Sequence, residues 1–273
     1  NDVLIHALPI FHTHGLFVAT NVSLLSGSSM IFMHKFDTDG ICMRMTEASV
    51  LMGVPTFFHR LLQNQELEQA SKNMRLFVSG SAPLLAQTHM LWRERTGHAI
   101  LERYGMTETN MNTSNPYDGE RRAGTVGFPL PGIEVIVTNQ ENGQILPSGE
   151  IGVLEVRGPN VFKGYWEMPE KTSEELRENG FFITGDLGTI SEDGYVSIVG
   201  RSKDVIISGG YNIYPKEIEV ILDGLDGVLE SAVIGIPHPD FGEGVVAVIV
   251  PQSRAKLIQE DVMLKLKDQI ARF

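Results

Sequence analysis

The stretch AILERYGMTET, Ala99 to Thr109, sets an apolar run against an arginine, an aromatic ring, a glycine and a Thr-Glu pair. Its apolar start reads as a strand, which continues as HAILERYG and ends at Arg103. Just upstream, PLLAQTHMLWRERTG reads as a helix closed by Gly97. MRLFVSG before it is a second strand, ending at Val78. Further back, PTFFHRLLQNQ is a helix with Pro55 in its first turn, and VLIHALP and SSMIFM are strands. Apolar strands alternating with helices imply an α/β fold with a largely parallel sheet, whose ligands sit at the carboxyl ends of strands. Two loops lie there: SGSAPL after Val78 and YGMTET after Arg103.

From about Gly124 the texture changes. IEVIVTN, GEIGVLEVRG, FFITGDLGTI and YVSIVG are short strands, with SEDG as a hairpin turn, and together they predict an antiparallel β region. After Gly200, RSKDVIISGGYNIYPKEIEVILDGL reads as a charged linker, a hairpin and a helix beginning near Pro215. SAVIGIP and GVVAVIVP then supply strands, and Val262, Leu266 and Ile270 form a helical stripe. The expected organisation is a large domain over residues 1–200, with its sheet-helix part reaching 123 and its β-rich part 124–200. A small α+β domain follows over 201–273, with a hinge at 201–204. Both ends fall inside these patterns, so the sequence reads as a segment of a longer protein.

The chain has 273 residues, 42% hydrophobic and 21% charged, with a formal net charge of −12. A negative balance argues against nucleic acid or an anionic membrane surface as partner. An anionic ligand must then be held by local groups. No apolar run approaches the roughly 20 residues of a membrane span, and the start lacks the pattern of a secretion signal. The single cysteine, Cys42, excludes an intrachain disulfide and reads as a core or helix thiol.

Four places can carry chemistry. Glu108 can hold Mg²⁺ on a nucleotide's phosphates and Thr107 can bond a phosphate oxygen, while Tyr104 offers a face to a base and Gly105 admits close backbone approach. The competing reading of Thr107–Glu108 is a helix N-cap. GTVGFPLPG, residues 124–132, is a rigid turned segment with little regular hydrogen bonding. Asp186, beside Gly185 at a strand end, can accept two bonds from a ribose diol; its alternative is a turn. Arg201, Lys203 and Asp204 form a charged link suited to a hinge, or simply a solvated one. No G-x-x-x-x-G-K-[ST] phosphate loop occurs, and no G-x-G-x-x-G follows a strand.

In this order, YGMTE, GTVGFPLPG, TGD and GRSKDVIISGGYNIYPKEIE resemble the adenylate-forming superfamily of acyl-CoA synthetases, adenylation domains and firefly-type luciferases. The resemblance runs from LPIFHTHG to the final helix, and HTHG with ERYGMTET is similar to the malonyl-CoA synthetase group. It implies an ATP-dependent acid–thiol ligase that joins a carboxylate to AMP with release of pyrophosphate, then transfers the acyl group to coenzyme A. Mg²⁺, ATP and CoA are the implied cofactor and substrates. By resemblance Gly80, Ser81, Ala82 and Pro83 line the adenine and acyl site, and Tyr104, Gly105 and Met106 flank the nucleotide, Tyr104 stacking on its base. Thr107 contacts phosphate and Glu108 holds Mg²⁺. Asp186 binds the ribose with Arg201 assisting, Lys203 sits at the hinge, and Gly209 and Gly210 line the pantetheine tunnel. The family's glycine-rich phosphate loop is expected before Asn1 and its adenylation lysine beyond Phe273, so the segment alone is expected to be defective in adenylation.

Arg103 bears on the substrate. A dicarboxylate has one carboxylate to activate and a second that needs a partner, and arginine offers a bidentate one. His12 and His14 can add hydrogen bonds, with His12 favoured; the alternative for both is packing. The alternative for Arg103 is a surface ion pair with Glu102 or Glu108. The expected substrate is malonate or methylmalonate. A short- or medium-chain acyl-CoA synthetase, a carrier-loading adenylation domain, a luciferase-like oxidase and a non-catalytic nucleotide-binding fragment are the alternatives. Oligomeric state stays open, as does the choice between cytoplasm and mitochondrial matrix.

Overall fold

The computed structural model describes residues 2–252, 255–267 and 269. The chain divides into two compact units, Asn1–Thr184 with Thr189–Ile198, and Gly185–Gly188 with Val199–Phe273.

In the first unit, β1 (Val3–His6) leads to a π-helix over His14–Thr20 that runs into α1 (Asn21–Leu25). Then follow β2 (Ser29–Phe32), α2 (Thr38–Met45), β3 (Val50–Gly53), α3 (Pro55–Leu61), α4 (Leu67–Ala70), β4 (Leu76–Ser79), α5 (Ala86–Thr96) and β5 (Leu101–Met106). β6 (Asn110–Ser114) and β7 (Phe128–Pro129) complete a seven-stranded sheet of order β2-β1-β3-β4-β5-β6-β7. The pairs from β2 to β5 are parallel; β6 and β7 are antiparallel. Successive strand residues feed two cores: Ile5, Leu51 and Phe77 belong to one, and Leu4, Val50, Met52 and Val78 to the other. Burial on both faces is why these strands lack polar alternation. Trp92 of α5 meets Phe58 and Phe77 edge-on at 5.0 and 4.9 Å, which fixes α5 against α3 and β4. Gly97 closes α5 with φ +78°. Cys42 is buried in α2, and burial pushes its thiol up to about 11, which makes it inert.

The β-rich region has the order β11-β10-β9-β8, from β8 (Glu134–Thr138), β9 (Gly152–Arg157), β10 (Phe182–Ile190) and β11 (Val196–Arg201), with α6 (Pro169–Glu175) between β9 and β10. Its core gathers Val135, Val137, Leu154, Val156 and Val196 around Tyr104 and Val126. In the second unit, β12 (Ile206–Ser208), β13 (Tyr211–Ile213), α7 (Pro215–Asp223), β14 (Val228–His238), β15 (Gly242–Pro251) and α8 (Gln259–Lys267) make a sheet of order β13-β12-β15-β14 with two helices. Ile206, Ile218, Leu222, Val233 and Leu266 form its core, with Val262 packed against it. Ile270 of the expected stripe lies outside the described residues.

The α/β class with a parallel sheet and an antiparallel region is as the sequence implied. Five details differ. The strand through Arg103 runs on to Met106, because Met106 pairs with Asn110 of β6, so Thr107–Glu108 lies in a hairpin turn rather than at a helix N-cap. Gly105 is explained by that hairpin: a Cβ there would lie 1.8 Å from the Asn110 carbonyl oxygen. Asp186 sits inside β10, which continues through Gly185 at φ +72°. The 124–132 segment does hydrogen-bond: Gly127 bridges Val196, and β7 pairs with β6. The helix begun by Pro55 ends at Leu61, short of the whole stretch.

Candidate active site

The parallel strands β4 and β5 deliver the first group. After β4 the chain turns through Gly80 and Ser81, and Ser81 is held at φ +71°, a conformation that costs a non-glycine residue about 1 kcal/mol or more. In that position its hydroxyl lies 3.1 Å from Nδ1 of His14, the first residue of the π-helix. A Cβ on Gly80 would meet His14 Cε1 at 3.4 Å and the Arg103 carbonyl oxygen at 3.5 Å. His14, Gly80, Ser81 and Arg103 therefore form one cluster. Ser81, Ala82 and Pro83 are exposed and Tyr104 is buried in the β-region core.

Arg103 has a buried Nε that meets no acceptor. Both carboxylates proposed as its partners are engaged elsewhere. Glu102 is buried against His89 of α5 at 3.1 Å, and Glu108 Oε1 accepts from the Tyr165 hydroxyl at 3.2 Å. The surface ion pair is thus not formed. Burial lowers the Arg103 pKa, and His14 is depressed to about 4 by burial first, then by Arg103 and His6. A neutral imidazole and a charged guanidinium result. His12, which the sequence favoured, is exposed and lies tilted against Phe11 at 4.6 Å; the histidine brought to Arg103 is His14.

The hairpin turn after β5 carries a second group. Thr107 Oγ1 stands 3.5 Å from Thr13 Oγ1. The Tyr165 hydroxyl lies between two carboxylates, 3.2 Å from Glu108 and 2.6 Å from Glu175, and Lys171 pairs with Glu175 at 2.8 Å. Burial first, and then the two carboxylates, push the Tyr165 phenol upward, so it stays protonated and donates. The donor atoms here are all hard oxygens, which suits Mg²⁺ bound by one or two carboxylates and phosphate oxygens. Among the described residues no cluster of three or more metal-ligating side chains occurs. Tyr165 and Glu175 went unnoticed in the sequence because they lie 57 and 67 residues beyond Glu108 in an irregular stretch and a short helix.

In the second unit Asp186 is buried and pairs with Arg201 Nε at 2.8 Å. The Ser202 hydroxyl donates to the Gly185 carbonyl at 3.2 Å, and Lys203 lies in the single 3₁₀ turn after β11. Gly209 and Gly210, both with positive φ, make the two-residue turn between β12 and β13.

The class of protein is fixed by comparison. A model of AMP-binding enzymes matches residues 1–166, and one of the AMP-binding enzyme C-terminal domain matches residues 217–273. The chain belongs to the AMP-binding enzyme family, the adenylate-forming superfamily that the motifs resemble.

Among individual proteins, it is similar to ATP-bound MatB from Rhodopseudomonas palustris, with 62% identity and a TM-score of 0.98 over 100% of this chain and 55% of that one. It is 44% identical to a probable CoA ligase, CCL8, of Humulus lupulus over 93% of this chain and 46% of that protein. A malonate–CoA ligase of Arabidopsis thaliana is 40% identical over 95% of this chain and 46% of its own length. The chain spans about half the length of these curated relatives. No described helix is long and apolar enough to cross a membrane.

Proposed function

We propose that the protein containing this chain is an AMP-forming acid–thiol ligase that activates a small dicarboxylate, malonate or methylmalonate, and transfers it to coenzyme A. The observation that carries the substrate is Arg103: a half-buried cation whose Nε is buried and unmet, beside a neutral histidine and the exposed Ser81–Pro83 loop. A monocarboxylate pocket gains nothing from a buried cation, which costs desolvation unless an anion meets it. A second carboxylate supplies that anion. The names of the relatives support the same reading.

In the reaction the first carboxylate of the substrate attacks the α-phosphorus of ATP, and pyrophosphate leaves. Thr107 bonds a phosphate oxygen. Glu108, with Glu175 beside it through Tyr165, would hold Mg²⁺, which would supply charge neutralisation as negative charge develops on the phosphate. Ser81, Ala82, Pro83, Tyr104 and Met106 flank the nucleotide, Asp186 with Arg201 takes the ribose, Lys203 is the hinge residue, and Gly209–Gly210 guide the pantetheine arm. His14 and Arg103 orient the second carboxylate, which fixes the first for attack.

The test is pyrophosphate release and thioester formation with malonate, methylmalonate, acetate and octanoate, each with ATP, Mg²⁺ and CoA. A kcat/KM for malonate or methylmalonate at least tenfold above acetate and octanoate is the expected result. Equal or better use of acetate or octanoate would leave the ligase class and remove the dicarboxylate reading.

A further inference from the structure

The π-helix over His14–Thr20 is an unusual way to begin a helical segment, since π turns are rare and persist where neighbouring groups hold them. Here the holding groups are visible. The Gly15 carbonyl oxygen accepts from the Thr20 hydroxyl at 2.8 Å and lies 3.0 Å from His6 Nε2. His6 Nε2 also stands 3.0 Å from Thr20 Oγ1, so two side-chain groups and the carbonyl oxygen they hold close a triangle. With Nε2 carrying the proton, His6 donates to that carbonyl, and its other nitrogen is left as a buried acceptor with no donor.

His6 is suited to be an anchor. It is the last residue of β1, 1% exposed, and its ring stacks on Phe32 at 4.5 Å with the planes 18° apart. β1 pairs with strands on both sides, so the anchor is tied to an interior strand of the sheet. Gly15 cannot carry a side chain, because a Cβ would lie 2.1 Å from the Pro9 carbonyl oxygen. The loop from Pro9 is therefore folded tightly onto the residue that His6 and Thr20 hold. The residue directly before Gly15 is His14, whose ring meets Ser81 and faces the field of Arg103. Retaining a buried, unmet Nδ1 on His6 costs stability. An apolar residue would avoid that cost, but it would leave the Gly15 carbonyl with one donor fewer.

We propose that His6 and Thr20 are positioning residues for the acyl site: by clasping the Gly15 carbonyl they fix the π turn that sets His14 beside Arg103. This rests on the dicarboxylate reading only for the substrate affected. The clasp itself is a statement about His14. Neither His6 nor Thr20 touches the substrate, and both act through one peptide unit.

The test uses the whole protein. Thr20→Val removes the hydroxyl at nearly constant volume, and His6→Leu removes the ring donor. Each is expected to raise the malonate KM about tenfold while leaving the ATP KM within about twofold. Thr20→Ser and His6→Gln, which restore a hydroxyl and an amide donor, are expected to recover most of the affinity. In a His14→Ala background, Thr20→Val is expected to add little, because the group it positions is gone. A rise of the ATP and malonate KM together, or a Thr20→Val effect that persists in full without His14, would overturn the proposal. A second readout needs no substrate: NMR titration of the His14 ring, labelled selectively, in wild type and Thr20→Val. The ring is expected to protonate near about 4 in the wild type and nearer its ordinary 6.5 in the variant; an unchanged titration rejects the clasp. Should wild type show no preference for malonate while the His14 titration still moves, the clasp stands and the dicarboxylate reading falls.

Discussion

His14 Nδ1 and the Ser81 hydroxyl stand 3.1 Å apart across 67 residues of sequence, and the serine adopts a left-handed backbone to be there. That contact joins the loop after β4 to the π-helix and leaves the imidazole in a half-buried place beside a permanent cation. Both surroundings disfavour the imidazolium. The ring is neutral at neutral pH and works as a hydrogen-bonding group rather than a charge.

A pH dependence follows. His14 has its pKa lowered from 6.5 in the unfolded chain to about 4 in the folded one, by burial, Arg103 and His6 in that order. Between these values the unfolded state binds more protons, so the contribution to stability is fully present above pH 6.5 and lost as pH falls toward 4. Urea denaturation at pH 7 and pH 5 should show wild type losing more stability than His14→Gln. Equal losses in the two proteins would place the His14 ring in water.

Arg103→Ala should raise the malonate KM by about 10- to 100-fold, the range expected for a lost charge-assisted pair. The acetate kcat/KM should stay within about threefold, since acetate has no second carboxylate. Steady-state kinetics with the two acids decide it, and parallel losses would make Arg103 a structural residue. Removing the cation should also let the His14 pKa rise, because Arg103 is one of the causes of its depression.

Much of this architecture was legible beforehand, for reasons that differ by element. The β4–α5–β5 run announced itself because apolar strands and a glycine-capped helix are local signals. Arg103 stood out because a cation inside such a strand breaks its pattern. The π-helix left no trace, since its seven residues have no period of their own and its cause is His6, eight residues upstream. The sequence had no means to rank His12 against His14 for the same reason: which histidine faces inward depends on that turn. Tyr165 and Glu175 were hidden because only tertiary folding brings them to Glu108. Gly105 was visible but its cause was misread, the partner strand being what approaches it.

The residue before Arg103 makes a separate contribution. Glu102 and His89 have side chains only 5% and 3% exposed and lie 3.1 Å apart, joining β5 to α5. Burial raises the Glu102 pKa, and the hydrogen bond to His89 opposes that rise. Glu102→Ala leaves a buried imidazole nitrogen unmatched and should cost about 1–3 kcal/mol in urea denaturation. Glu102→Gln keeps a group able to bond His89 and should cost less. If alanine is as well tolerated as glutamine, the pair does not hold β5 in place.

Tyr165→Phe tests the metal site proposed at Glu108. The substitution keeps the ring, which packs edge-on to Phe162 at 4.8 Å, and removes only the hydroxyl between Glu108 and Glu175. Without that donor the two carboxylates face each other with less to separate their charges, and Glu108 loses a group that orients it. Mg²⁺ would relieve that repulsion, but from a less ordered ligand set. The concentration of Mg²⁺ needed for half-maximal pyrophosphate release should therefore shift, with kcat lowered about 10-fold and the malonate KM nearly unchanged. A Mg²⁺ titration at saturating ATP and malonate, compared with Glu175→Gln, separates the two carboxylates. An equal shift in both variants makes Glu175 part of the metal site. A shift in Tyr165→Phe alone leaves Glu108 as the carboxylate that matters, and no shift in either removes this cluster from the reaction.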